Sequence, residues 1–340
     1  MRTLTGRLVQ ILLAVVLVAC GGTPGEATDS SPTTAVAQRG GAAGTIRLYT
    51  SVTQDTVDAV LQGFQSSNPD VKAEVFRAPT GELNARLAAE QRSGGVKADV
   101  LWLTDPLSMY AYDEQDLLAE WTPNGAEAIP EQFRTERFWG TRILNLVIVH
   151  RQGLQPAPTG WQDLADDAYS EPVAFPDPAF AGSSFAALGY FALDEEFGFD
   201  YYRALRANGA VEVQAPDEVI TGVAEGRFSA GMSLDKSVRD AAEEGAPIEL
   251  VWPEPGAIAL YSPIAVIRST TNEEAAQALA SFVLTEPAQA AIASTGWQPV
   301  LPGVEGPPMP TDAEQVFPDW EAAFGRQDEL LSEYRSSLGD

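Results

Sequence analysis

Two polar clusters close apolar runs in the first third of this chain: Thr50-Ser51 after "TIRLY" and Thr104-Asp105 after "ADVLWL". Hydroxyls and a carboxylate at strand ends can hydrogen-bond a bound solute. A third cluster, Gly182-Ser183-Ser184, lies in "FPDPAFAGSSFAALGYF", where two prolines and a glycine lead into an apolar helical segment over residues 183–193. A helix start offers unpaired N–H groups and the positive end of the dipole, which suits an anion. Gly182 allows close approach to the backbone, and serine hydroxyls can donate to carboxylate or phosphonate oxygens. By spacing alone, a plain N-cap is the favoured reading of either serine. Asp235 directly follows the apolar run "FSAGMSL", so it should stand at a strand's carboxyl end. A carboxylate there can hold an ammonium group or cap the next helix, and can do both.

Catalysis is poorly served by this inventory. His150 is the single histidine, at the end of an apolar run, where a structural hydrogen-bonding role is expected. A serine nucleophile would have to use it, and no Gly-x-Ser-x-Gly elbow lies nearby. With no second histidine and no cysteine beyond Cys20, a zinc site is not expected. Trp102, Trp252 and Trp297 flank loops and could stack on a flat ligand or a cation, but packing is the favoured role. Lys236 reads as a compositional accident. Tyr201-Tyr202 falls in a helix-like stretch whose spacing marks packing. Nothing calls for a cofactor.

The first residues carry Arg2 and Arg7, an apolar run, and then Leu17-Val18-Ala19-Cys20, the order of a signal peptide over residues 1–19. The run is too short to span a bilayer. "LVAC" followed by Gly21-Gly22 resembles the bacterial lipobox, which implies that Cys20 is lipidated and tethers the protein to the outer face of the cytoplasmic membrane. Residues 20–44, rich in Gly, Ser, Thr, Ala and Pro, read as a flexible linker. The formal charge is −27, so nucleic acid, whose phosphates such a surface repels, is not an expected partner. An acidic solvated surface accounts for the charge without a cationic ligand.

From residue 45 strand-like and helix-like runs alternate, with Val57, Val60, Leu61 and Phe64 at helical spacing early on and a last helix near residues 319–338, predicting an α/β fold with a parallel sheet and crossover helices. Ligands of such sheets sit beyond the carboxyl ends of the strands, where Thr50-Ser51 and Thr104-Asp105 fall. Two long apolar strands, over residues 143–149 and 257–267, bracket a middle block with its own alternation. This predicts two lobes joined by two crossings: residues 45–145 plus 262–340 in one, 146–261 in the other, with a ligand cleft between.

In their order, "GWQDLADDAYSEPVAFPDPAFAGSSFAAL", "GRFSAGMS", "PEPGAIALYSPIAVI", "AQALASFVLTEPAQ" and "GWQPVLPGV" resemble the bacterial extracellular solute-binding proteins of ABC importers, in the branch of ferric-iron, thiamine and aminoethylphosphonate binders. The similarity spans residues 46–304 and rests on the set of segments, each weak alone. It implies the type II periplasmic-binding-protein fold, two α/β lobes closing by a hinge. It also implies no enzymatic activity, a monomer, and a permease and ATPase as partners. The ligand loops it implies are Thr50-Ser51, Thr104-Asp105, Gly182-Ser183-Ser184, Asp235 and Tyr261-Ser262. It turns the serine cluster from a cap into an anion site. Iron-binding members place two adjacent tyrosines just after the strand matching "FSAGMS"; here that place reads Leu234-Asp235-Lys236, which weakens iron and leaves Tyr261 as a single candidate phenolate. A zwitterion such as an aminophosphonate, thiamine or its phosphates, and ferric iron are the candidate ligands. An exported hydrolase, or a surface lipoprotein acting as sensor or scaffold, are the rival classes.

Overall fold

The computed structural model describes residues 42–339. The expected signal peptide, Cys20 and all but the last residues of the expected linker lie outside the described residues. Strands are β1 (Gly44–Thr50), β2 (Val71–Arg77), β3 (Val100–Trp102), β4 (Phe138–Arg151), β5 (Ala174–Pro176), β6 (Val211–Val213), β7 (Ala230–Leu234), β8 (Ile248–Val251), β9 (Ala257–Val266), β10 (Gln298–Pro299) and β11 (Gln315–Val316). Helices are α1 (Gln54–Ser67), α2 (Thr80–Arg92), α3 (Pro106–Glu114), α4 (Gly182–Leu193), α5 (Gly198–Ala207), α6 (Pro216–Ala224), α7 (Asp235–Glu243), α8 (Glu273–Val283), α9 (Glu286–Ser294), α10 (Trp320–Gly325) and α11 (Gln327–Leu338).

The two long apolar runs become the centre of the sheet, whose order is β2-β1-β3-β9-β4-β7-β5-β6. β4 is buried at every position but Arg151, and β9 at every position. A strand covered on both faces needs an unbroken apolar run, which both sequences supply. They pair antiparallel from Phe138↔Ala265 to Leu146↔Ile258. β3 meets β9 only at residues 264–266, whereas β7 meets β4 at residues 146–150. The outer strands thus grip opposite ends of one shared pair: β1, β2 and β3 run parallel at one end, β5, β6 and β7 at the other. Two lobes joined by two crossing strands follow from this register.

Most buried side chains form one core around Ile46, Leu48, Val100, Leu101, Ile264 and Val266. A smaller cluster, including Val147, Val149, Val219, Val223, Phe228 and Val238, fills the space under α6 and α7. α1 buries Val57, Val60, Leu61 and Phe64, the stripe read from the sequence, with Phe64 against Phe282 of α8.

The C-terminal segment departs from expectation. A single helix near residues 319–338, assigned to the first lobe, is instead two helices that break after Gly325. The second packs on the middle block: the Tyr334 ring meets Tyr202 of α5 edge to face at 5.0 Å, and its hydroxyl hydrogen-bonds Glu212 of β6. The buried stripe Leu330, Tyr334 and Leu338 is visible in the sequence, but a stripe does not say which lobe it covers.

Candidate functional site in the interlobe cleft

The register of β4 and β9 is broken once, between Gly140 and Arg142, leaving Thr141 as an extra residue at the middle of the crossing. A bulge re-aims the side chains around it. Thr141 is fixed from three sides: its hydroxyl donates to Ser262 O at 2.7 Å and accepts from Trp102 Nε1 at 2.8 Å, and its carbonyl accepts from Gln289 Nε2 at 2.8 Å. The next residue, Arg142, is 1% exposed, and its Nε and Nη1 have no hydrogen-bond partner. Its guanidinium lies 4.3 Å from the centre of the Trp297 ring. Burial pushes it down to about 9, with Asp55 opposing the shift and Arg77 adding to it.

The groups around Arg142 come from the ends of elements that face the cleft. Asp55 is in the first turn of α1, just past β1. Arg77 ends β2, and its Nε donates to Val52 O at 2.7 Å. Lys236, in the first turn of α7, places Nζ 5.6 Å from the Trp297 ring, 3.9 Å from Asp55 and 2.5 Å from Asp240. In a chain whose formal charge is −27, this is a local cationic cluster with one buried guanidinium left short of acceptors. Such a group is costly to bury alone, and an incoming anion would supply what it lacks.

Asp105 follows β3. It is the N-cap of α3, with Oδ1 accepting from Ser108 N at 3.1 Å and from the Ser108 hydroxyl at 3.3 Å. Its Oδ2 has no hydrogen-bond partner, although the residue is 2% exposed. Burial pushes the carboxyl above its ordinary value, against the pull of the Ser108 amide and hydroxyl and of Thr80. Gly182 from the opposite lobe packs against it: a Cβ at position 182 would fall 2.8 Å from Asp105 Cβ and Cγ. Ser51 and Thr104 bind each other, with 3.0 Å between hydroxyls and Thr104 N donating to Ser51 Oγ at 2.9 Å.

Several residues expected in the site are committed elsewhere. Thr50 is fully buried and donates to Trp102 O at 2.6 Å, and Ser262, also fully buried, donates to Leu103 O. Tyr261 lies in the core against Phe133 and Trp320, where burial pushes its phenol well above the ordinary value; it is no ready phenolate. α4 begins at Gly182 with Ala181 as its N-cap, so neither Ser183 nor Ser184 caps it, and the Ser184 hydroxyl donates to Pro176 O. The Asp105 carboxyl already lies against the start of that helix, and a second anion there would meet like charge. Asp235 is not an N-cap but the first residue of α7, ion-paired to Arg239 at 2.6 Å and accepting from Asn145 N at 3.4 Å. Its charge is answered within the protein, so a cationic ligand has less to gain there.

The remaining expectations fare as follows. His150 is 3% exposed, with Nδ1 2.9 Å from Arg151 O and Nε2 3.6 Å from Glu249, a structural setting. Tyr201 and Tyr202 are buried packing residues, with the Tyr201 hydroxyl donating to Trp161 O at 2.8 Å. Trp102 is core, whereas Trp297 is the ring beneath Arg142. Arg142 escaped the sequence reading because the crossing strand was started one residue after it; a charged residue inside a fully buried strand was the available signal. Among the described residues no group of three or more His, Cys, Asp and Glu side chains is placed to hold a metal ion.

Two α/β lobes joined by two crossing strands define a fold of the periplasmic-binding-protein class. Residues 46–298 match the profile of the family described as bacterial extracellular solute-binding protein, and the chain belongs to that family. Its members are non-enzymatic transport components that bind small ligands and deliver them to an ABC permease. The chain is 25% identical over 228 residues to a putative 2-aminoethylphosphonate-binding periplasmic protein of Salmonella paratyphi A, covering 64% of this chain and 66% of that one. Its fold is similar to that of iron-bound HitA from Pseudomonas aeruginosa, with a TM-score of 0.74, 20% identity and coverage of 86% and 99%. It is also similar to AfuA from Actinobacillus pleuropneumoniae with fructose-6-phosphate bound, with a TM-score of 0.75, 19% identity and coverage of 86% and 98%.

Proposed function

We propose that this receptor captures a small solute bearing a phosphonate or phosphate group, with the anion held at Arg142 on the cleft floor. The observation that carries the proposal is the buried guanidinium with Nε and Nη1 unpartnered, set over Trp297 and near Lys236. A guanidinium with unpartnered N–H donors suits charge-assisted contact with such an anion. The phosphonate named for the Salmonella relative and the sugar phosphate bound to AfuA are consistent with this chemistry. Lobe closure would draw residues 45–145 and most of 262–340 towards residues 146–261. A lipid on Cys20, with residues 20–44 as leash, would keep the loaded receptor near its permease and ATPase, and the receptor would act as a monomer. Ferric iron is disfavoured by the burial of Tyr261 and by Leu234-Asp235-Lys236 where paired tyrosines are expected. Titration calorimetry with 2-aminoethylphosphonate, ethylphosphonate and inorganic phosphate tests the reading. Binding that Arg142→Met abolishes is expected; anion binding indifferent to that change would refute it.

A further inference from the structure

We infer that Arg239 is a positioning residue for the anion site: reaching across from α7, it holds the turn that carries the Trp297 ring against Arg142. This rests on the proposed capture of an anion at Arg142 and adds the residue that keeps that guanidinium set. Arg239 belongs to α7, whose Val238 lies in the smaller core cluster with Val219 and Phe228. Gly296 follows α9 in the other lobe, where the Thr295 hydroxyl lies 2.9 Å from that of Thr56 in α1. The Arg239 fork is divided between the two sides: Nη1 pairs with Asp235 at 2.6 Å, and Nη2 donates to Gly296 O at 2.8 Å.

The carbonyls that end a helix lack intrahelical partners and carry its negative pole, which favours a cation there. α9 has no basic residue in its own last turn, and α7 supplies two from outside. The Lys236 stem covers Gly296, whose backbone is left-handed at φ +87°, with Cε 3.3 Å from where a Cβ would stand. Arg239 binds the carbonyl of the same residue. Next in the chain comes Trp297, 3% exposed, with the Arg142 guanidinium 4.3 Å from its ring centre. Gln298 and Pro299 follow as the two residues of β10, paired with Ile143 and Arg142. A strand that short is a weak anchor, so the clamp from α7 decides how firmly the ring sits. Asp235 orients the fork and is itself buried, accepting from Asn145 N at 3.4 Å. Because the clamp joins the two lobes, drawing them together completes the anion site.

Arg239→Gln cuts the clamp, and Arg239→Lys, which keeps the charge but not the fork, should restore part of it. The first readout needs no ligand. In nitrogen–proton correlation spectra the Arg142 Nε–H signal, identified by its loss in Arg142→Met, is displaced by the Trp297 ring. It should move towards the ordinary arginine position in Arg239→Gln and part of the way in Arg239→Lys. The second readout is titration with ethylphosphonate. Affinity should fall about tenfold in Arg239→Gln, yet by less than about twofold when the same change is made on a Trp297→Leu background, because the ring through which Arg239 acts is gone. An unmoved Arg142 signal, or an equal loss of affinity with and without Trp297, would overturn the inference. If the wild type binds no anion, the proposed function falls, and the Arg142 signal alone decides the positioning role. Should stranding the Asp235 carboxylate unfold Arg239→Gln, the double variant Asp235→Asn/Arg239→Gln removes the buried charge with its partner and is read in the same way.

Discussion

Replacing Arg142 with methionine should make the ligand-free protein more stable while removing its response to anions. Burial pushes the guanidinium down to about 9. At about 1.4 kcal/mol per unit, keeping it charged costs the ligand-free fold on the order of 5 kcal/mol. Losing its stacking on Trp297 returns about 2 kcal/mol of that, and methionine fills much of the same volume. The net expectation for Arg142→Met is a gain of about 1–3 kcal/mol, read in urea melts at pH 7 as a higher midpoint with an unchanged slope. In the wild type, an anionic ligand at a hundred times its dissociation constant should add about 2.7 kcal/mol; in the variant it should add almost nothing. A variant less stable than wild type by 2 kcal/mol or more, with its anion response intact, would show that Arg142 is an ordinary structural residue and refute the reasoning.

The same residue sets a pH dependence. Its folded value is depressed, so its burial penalty is fully present below about pH 9 and is relieved as pH rises from there towards the unfolded value. The ligand-free protein loses the anion-binding charge over that rise, so phosphonate affinity should fall by up to about tenfold per unit above pH 9, followed by calorimetry. Gly182→Ala would place a methyl 2.8 Å from Asp105 Cβ and Cγ, so the two lobes must shift apart at this contact; ligand affinity should drop by about tenfold or more. A loss of stability without a loss of affinity would mean that this contact does not accompany binding. Tyr261→Phe should leave ligand affinity unchanged, and ferric citrate should give the wild type no visible phenolate band.

Much of the scaffold was legible because it is written in local pattern. Unbroken apolar runs marked β4 and β9, and the Val57, Val60, Leu61 and Phe64 spacing marked α1. The site was legible only in part, because its logic is long-range. Thr104-Asp105 and Gly182 were identified as loop residues, but their meeting depends on how two lobes close. Asp235 carried the right charge for a cation, yet the i,i+4 partner that neutralises it, Arg239, lay in the same helix and was readable. Lys236 looked like an accident of composition until α7 brought it beside Trp297. Thr50, Tyr261 and Ser262 sit at the right strand ends, but alternation along a strand turns some such side chains into the sheet's own hydrogen bonds and packing rather than into the cleft.

The most direct test of the account is a crystal structure of the protein grown with 2-aminoethylphosphonate. The phosphonate oxygens should lie about 2.7–2.9 Å from the guanidinium nitrogens of Arg142. A phosphonate seated instead at the start of α4, near Ser183 and Ser184, with Arg142 untouched, would contradict it.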